Sequence, residues 1–311
     1  MCCYCCSSGE SGAGKTEATK QCLNYLAYAA GSASGIQTKI LKASPVLEAW
    51  GNAKTLRNNN SSRFGKFIEI WFDRDSRVIT GASNTTYILE KSRVVFQEKN
   101  ERNYHVFYQL LKGASPEFLA ELELSDFATE PQLASYINQS GCITIDDVDD
   151  ANDFHEANQA FLDIGFTLEE RNALYTIIAG ILQLGNVSFE ANPDRSEESI
   201  LSTNGLQYLE KCVRRLAVDR TMFEKALLFR QIKSGGNKRS SVTYAAFLPG
   251  AAVENRNALA KEIYRRCFDW IVAKINVLMK TNAAELSIFV GILDIFGFEI
   301  FQKVSGMSDD A

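Results

Sequence analysis

The sequence predicts an α/β fold in which a mostly parallel central sheet is interrupted by a large helical insertion. Three observations carry this expectation. Strand patterns crowd the first third of the 311 residues and return near the end. Helical periodicity dominates between them. The short apolar run Ser287 to Leu293 has the character of a strand covered on both faces, as in a parallel sheet. An α/β core with both sheet faces covered suits this pattern.

Each element has a local reason. Cys2 to Ser8 holds no β-branched apolar residue, so it is a weak strand candidate ahead of the Gly/Ser-rich turn Ser7 to Gly14. Lys15 to Ala30 reads as a helix, with Cys22, Leu23 and Leu26 at helical spacing, closed by the short flexible loop Gly31 to Gly35. Ser44-Pro45 predicts a helix start, Ser as cap and Pro at the first helical position. Phe64 to Phe72 alternates as a strand does and runs into the turn Asp73-Arg74-Asp75-Ser76. Val78 to Thr80 and Thr85 to Leu89 read as two further strands. From Tyr104 onward helices dominate. Thr167-Leu168-Glu169-Glu170 is a capping box opening a helix to about Leu184, and Ala252 to Met279 is a long amphipathic stretch.

Composition narrows the function. A formal net charge of −5 argues against a general nucleic-acid binder. No basic segment precedes an apolar run at the N-terminus, so the reading predicts a cytosolic protein with reduced thiols. Ile288 to Phe301 contains Asp294 and Glu299 and is shorter than the about 20 apolar residues that a membrane span needs. Cys2, Cys3, Cys5 and Cys6 make two overlapping C-x-x-C spacings, but are too crowded to wrap one tetrahedral zinc. The acidic run from Asp146 to Asp153 lacks the glycine and closing glutamate of a calcium loop, and reads as a solvated loop or helix start.

Gly9-Glu10-Ser11-Gly12-Ala13-Gly14-Lys15-Thr16 matches G-x-x-x-x-G-K-[ST] in full. Its glycines let successive backbone N–H groups turn inward around a phosphate, and the helix that follows points its positive dipole end at the same anion. Lys15 adds a cation for the outer phosphates, and Thr16 offers a hydroxyl to Mg²⁺. The fold expectation thereby becomes a P-loop nucleoside-triphosphatase core. Two more segments suit such a core. Asn58-Asn59-Asn60-Ser61-Ser62-Arg63-Phe64-Gly65-Lys66 is a dense polar cluster directly before a strand. Leu293-Asp294-Ile295-Phe296-Gly297-Phe298-Glu299 ends an apolar strand with a carboxylate, which belongs at the ligand edge of an open α/β sheet.

GESGAGKTE, NNNSSRFGK and LDIFGFE, in this order, resemble the P-loop, switch I and switch II of myosins. LEKSRVV from Leu89, ERNYHVFYQLL from Glu101, IIAGILQLGNVSFE from Ile177 and ALAKEIYRRCFDWIV from Ala258 extend the resemblance from about Ser8 to Gln302. Kinesins, the nearest alternative, carry SSRSH and DLAGSE where this chain has SSRFG and DIFGFE. The resemblance implies an actin-based, Mg-dependent ATPase motor. The loop of residues 9–16 wraps the ATP phosphates, and Thr16 and Ser62 ligate Mg²⁺. Asn58 and Ser61 contact the phosphates and the attacking water. Arg63 and Glu299 pair to close the switches, Gly297 donates its N–H to the γ-phosphate, and Asp294 acts on the metal through water. Neither His105 nor His155 lies in a motif, so a histidine general base has no candidate.

The same resemblance divides the chain into a P-loop and switch I core of about 1–100, a helical upper subdomain of about 101–285, and a switch II strand and loop of 286–303. Residues 304–311 stand off the family pattern. Myosin motors are much longer, so this reading expects truncation at both ends, as in an incomplete gene model. The alternative function is an inactive nucleotide-binding fragment. The implied partner is the actin filament, in the cytoplasmic cytoskeleton; light chains or calmodulin would attach only through C-terminal regions that this chain lacks. Gly235 to Val242 reads as an exposed loop, basic at Lys238 and Arg239. Asn257-Ala258-Leu259-Ala260-Lys261 is close to a family landmark, and the residue sixteen before it, acidic or phosphorylatable in myosins, is here Ser241. The resemblance implies a regulatory phosphorylation site there.

Overall fold

The computed structural model describes residues 3–7, 12–30, 35–234, 241–280 and 287–295. Strand β1 (Cys3–Ser7) leads into helix α1 (Lys15–Ala29), and α2 (Ile36–Gly51) follows. The two-residue strands β2 (Asn52–Ala53) and β3 (Ser61–Ser62) pair as a miniature hairpin, and β4 (Gly65–Asp73) and β5 (Ile79–Tyr87) as a long one. Helix α3 (His105–Gly113), the short α4 (Pro116–Glu121) and α5 (Ser125–Thr129), then α6 (Asp150–Ile164) and α7 (Leu168–Gly185) form the first part of the helical region. Hairpin β6 (Phe189–Asn192) and β7 (Arg195–Leu201) follows, then α8 (Thr203–Leu216) and α9 (Arg220–Leu228). Hairpin β8 (Phe229–Ser234) and β9 (Ser241–Ala246), the long α10 (Pro249–Met279) and β10 (Ser287–Asp294) complete the order.

The large sheet has the order β1-β10-β4-β5. Only its β1–β10 junction is parallel; β10–β4 and β4–β5 are antiparallel. The expected mostly parallel sheet is therefore corrected to a mixed one. The physical reason for one junction is the tight connection after β4: the Asp73 carboxylate accepts from the Asp75 and Ser76 amides at 3.1 and 2.8 Å, and such a turn reverses the chain. The alternation along β4 holds, with Ile68, Ile70 and Phe72 buried on one face. The two short strands expected after the turn are a single one, β5.

A second correction concerns Pro45. It does not start a helix but sits inside α2, which begins at Ile36 behind Gly35. Proline removes one ladder hydrogen bond and crowds the preceding turn. Packing outweighs that cost here, because Val46, Leu47 and Trp50 on the same helix are at most 2% exposed. The capping box at Thr167 forms as expected, with the Glu170 amide donating to Thr167 Oγ1 and the Thr167 amide to Glu170. In the acidic run, Asp149 caps α6 by accepting from the Ala151 and Asn152 amides. The loop expected at Gly31 to Gly35 lies, apart from Gly35, outside the described residues. One hydrophobic core runs from α1 and α2 through the sheet into α3, α6, α7 and α10.

Candidate functional site

The sheet register brings the motifs to one edge. Ser7, the last residue of β1, lies level with Asp294, the last of β10, and Asp294 lies level with Lys66 on β4. The chain leaves β1 and enters α1 beside this row. Gly12 and Gly14 have φ of 84° and 81°, the left-handed region that glycine reaches at no steric cost. Gly14 caps α1 with no side-chain acceptor on the helix's first amides. The positive end of the α1 dipole therefore lies at this loop, where it favours an anion. A Cβ on Gly12 would sit 3.7 Å from the Arg57 carbonyl oxygen and 3.9 Å from Asn58 Cβ, so the loop abuts the 57–58 segment. Gly9, Glu10 and Ser11 lie outside the described residues. Ala13 and Lys15 flank Gly14 at the opening of α1.

The polar cluster is a turn held by the β2–β3 pairing of Asn52 with Ser62 and Ala53 with Ser61. The Asn58 carbonyl accepts from the Thr55 amide at 2.9 Å, and the Asn58 side chain accepts from the Asn60 amide at 2.9 Å. This turn carries Ser62 to the start of α1, where its Oγ lies 3.4 Å from Thr16 Oγ1. Two hydroxyls assigned to one cation from separate motifs are thus neighbours. Ser61 is buried and its Oγ accepts from Arg63 Nη1 at 3.2 Å.

Arg63 is gripped from several sides. Its amide donates to the Gly51 carbonyl at 2.9 Å, and its carbonyl accepts from the Glu90 amide at 3.0 Å. Its guanidinium also forms an ion pair with Glu90. Glu90 in turn accepts from Arg93 at 3.0 Å, and Arg93 reaches Glu101 at 2.8 Å. Glu299 and Gly297 lie outside the described residues. The Glu90 contact was not foreseen: Glu90 sits in the quoted LEKSRVV stretch, where no spacing rule marks it.

Asp294 is buried, with Lys66 Nζ at 3.6 Å and that ammonium equally buried. Asp294 Oδ2 has no hydrogen-bond partner among the described residues. A buried carboxylate oxygen without a donor is costly unless something else engages it. The paired Thr16 and Ser62 hydroxyls offer oxygens too, the donor type that Mg²⁺ takes. The residues present therefore fit a Mg-nucleotide.

Behind the turn, Lys20 on α1 pairs with Glu48 on α2 at 3.0 Å. Burial opposes the Lys20 charge, but Glu48, with Glu17, outweighs it and holds the ammonium above the ordinary lysine range. His105 at the start of α3 is buried, and that burial, with the Arg102 guanidinium nearby, pushes its pKa down to about 3. It is a neutral imidazole at physiological pH. A cleft of about 440 Å³ opens between α1, α2, α3, α6 and this turn, lined among others by Lys20, Glu48, Asn60 and His105. Sequence reading gave none of these side chains a role: Lys20, Glu48 and His105 converge from three helices with no shared motif, and Asn60 lies in the polar cluster with no part of its own.

Ser241 opens β9 in register with Ser234 of β8; its side chain, and the basic residues Lys238 and Arg239, lie outside the described residues. No helix among the described residues is long and apolar enough to cross a membrane.

The model of the myosin head (motor domain) family matches residues 3–306. Myosin ID heavy chain of Dictyostelium discoideum is 44% identical over 302 residues, covering 95% of this chain and 27% of that protein. Myosin-1 of Laccaria bicolor is 44% identical over 303 residues, covering 96% of this chain and 23% of its own length. Unconventional myosin-Vb of Homo sapiens is 45% identical over 301 residues, covering 95% of this chain and 15% of that protein. The chain therefore spans between 15% and 27% of the length of these relatives.

Proposed function

The chain belongs to the myosin head (motor domain) family, and from that premise we propose that it carries the Mg-ATP site of an actin-based motor. The observation that supports this reading best is the meeting of Thr16 and Ser62, at 3.4 Å, beside a helix N-terminus. In this reading the loop of residues 9–16 cradles the phosphates and Lys15 meets their outer oxygens. Mg²⁺, when bound, neutralises charge on the phosphate oxygens that hydrolysis must redistribute. Thr16 and Ser62 would hold the cation, and Asp294 would act on it through water. Asn58 and Ser61 orient the phosphates and the attacking water, Gly297 offers its N–H to the terminal phosphate, and Arg63 with Glu299 closes the site. The residues supply position and a water-poor surrounding rather than covalent chemistry.

The division into a nucleotide core of about 1–100, a helical region of about 101–285 and a second switch at 286–303 follows the same reading. Actin-activated turnover, force and cytoskeletal location are proposed for the whole protein, since this chain spans only 15% to 27% of the length of its relatives. Ser241 is the proposed regulatory position. A phosphate there adds about −1.5 to −2 charge, and in the whole motor Ser241→Glu is expected to exceed Ser241→Ala in actin-activated ATPase at equal basal rate.

The deciding experiment titrates this chain with a fluorescent ATP analogue in the presence and absence of Mg²⁺, alongside Lys15→Ala. Mg-dependent binding that Lys15→Ala abolishes is the expected result. Undiminished binding in the variant would overturn the assignment. Phosphate release in the same samples separates a working ATPase from the alternative, an inert nucleotide-binding fragment.

A further inference from the structure

Asn60 is exposed, yet its side-chain amide meets partners on three elements. Nδ2 donates to Glu48 Oε2 on α2 at 3.2 Å. Oδ1 accepts from Asn52 Nδ2 on β2 at 2.8 Å and lies 3.2 Å from His105 Nε2 on α3. Donor and acceptor inventory fixes the orientation. Glu48 is ion-paired to Lys20, and a carboxylate only accepts. The amide nitrogen of Asn60 must therefore face Glu48, which turns Oδ1 toward His105. Oδ1 has no proton to give, so His105 Nε2 must carry the hydrogen.

From this geometry we infer that His105, as its Nε2–H tautomer, is a positioning residue: through Asn60 it holds the 58–62 turn where Ser62 meets Thr16. The consequence for nucleotide affinity rests on reading that turn as part of the Mg-ATP site; the clamp on the turn does not. His105 touches neither hydroxyl. It acts through one hydrogen bond on a side chain two residues from Ser62. The same bond links α3, and the buried Arg102 just before it, to the turn.

The test combines millisecond hydrogen–deuterium exchange over residues 54–63 with titration by the fluorescent ATP analogue, both on this chain. His105→Phe keeps a ring and removes the donor. His105→Gln returns an N–H near the same place. Asn60→Ala removes the acceptor at an exposed site and keeps the inference testable if the Phe variant loses stability. Losing one hydrogen bond is expected to speed exchange of the turn about tenfold in His105→Phe, and Asn60→Ala, which also gives up the Glu48 and Asn52 contacts, should speed it at least as much. His105→Gln should stay within about threefold of wild type by the same reasoning. The double variant Asn60→Ala/His105→Phe should exchange no faster than Asn60→Ala alone, while α7 and α10 are unchanged. Unchanged turn exchange in His105→Phe, or additive effects in the double variant, would overturn the clamp. Nucleotide affinity should weaken in parallel with exchange. If wild type binds no nucleotide but the exchange pattern holds, the clamp stands and the nucleotide reading falls. If wild type and His105→Phe bind nucleotide equally with equal exchange, the nucleotide reading stands and the clamp falls.

Discussion

His105 shows how one buried side chain links stability to pH. In the unfolded chain its imidazole titrates near the ordinary value of 6.5, and in the folded chain near about 3. Between these values the unfolded state binds a proton that the folded state refuses, so stability falls as pH falls through 6.5 toward 3. At pH 5.5 the loss from this group is about 1.4 kcal/mol relative to pH 8. Acid denaturation involves carboxylates as well, so the expected outcome is a difference: urea midpoints of wild type and His105→Gln should diverge as pH drops, the Gln variant becoming relatively more stable. Parallel pH profiles would contradict a neutral buried imidazole. Lys66 and Asp294 give a second case. Each is at most 4% exposed, and Lys66→Met leaves Asp294 charged and buried without its cation. Breaking such a pair costs about 3–5 kcal/mol, which should appear as a lowered unfolding midpoint that Mg-nucleotide partly restores. At this scale the sequence singled out Lys15, Thr16, Ser62 and Asp294 as candidates, because each sits in a contiguous motif whose spacing has a physical reason. It concealed Glu90 and His105, whose roles arise from long-range convergence on Arg63 and Asn60.

Elements were legible where local chemistry and tertiary packing agree. The capping box at Thr167, the alternation of β4 and the helix after Gly14 all announced themselves by spacing. They failed to announce themselves where packing overrides local preference. Pro45 marks a helix start by its own geometry, yet α2 runs through it because its flank is sealed by Trp50 and Val46. The mixed sheet is a similar case, since an apolar strand such as β10 looks the same whether its neighbour runs parallel or antiparallel. Gly51, at the end of α2, is a close approach that no motif signals. A Cβ there would lie 2.2 Å from the Phe64 ring, which packs edge-on against Phe268 at 5.0 Å. Phe64 directly follows Arg63, whose amide donates to the Gly51 carbonyl. Gly51→Ala should therefore push the 61–64 segment away from α2. The expected loss is about 1–3 kcal/mol of stability, the usual cost of overpacking, together with weaker binding of the ATP analogue. Calorimetry on the variant would check both. A stable variant with unaltered affinity would mean that Phe64 swings aside without moving Ser61 and Ser62.

At the scale of the whole molecule, the question is whether the nucleotide edge and the helical region unfold as one body. The contacts of Tyr264 on α10 argue that they do. Its hydroxyl donates to the Trp50 carbonyl on α2 at 2.7 Å. Its ring stacks on Tyr104 at 4.8 Å, Phe107 at 5.5 Å and Trp50 at 6.0 Å. Tyr104 also donates to the Glu90 carbonyl at 2.8 Å, and Glu90 pairs with Arg63. A continuous path of contacts, buried at Tyr264, Trp50 and Tyr104 and half-buried at Glu90 and Arg63, thus runs from the long helix of the helical region to the turn that carries Ser62. Such rigid packing makes local loss of one part costly to the other. Tyr264→Phe leaves the Trp50 carbonyl without this donor and is expected to cost about 1–2 kcal/mol. Tyr264→Ala opens a large cavity as well and is expected to cost about 3–5 kcal/mol. If the path couples the two regions, both substitutions shift helical circular dichroism and release of the ATP analogue by the same amount along a urea titration. Hydrogen exchange in α7 and in the 58–62 turn should then rise together under mildly destabilising urea, although neither segment contains the substitution. Two separated transitions in Tyr264→Ala, with the turn released while α7 stays protected, would show instead that the helical region stands without the nucleotide edge and that Tyr264 serves only its own neighbourhood.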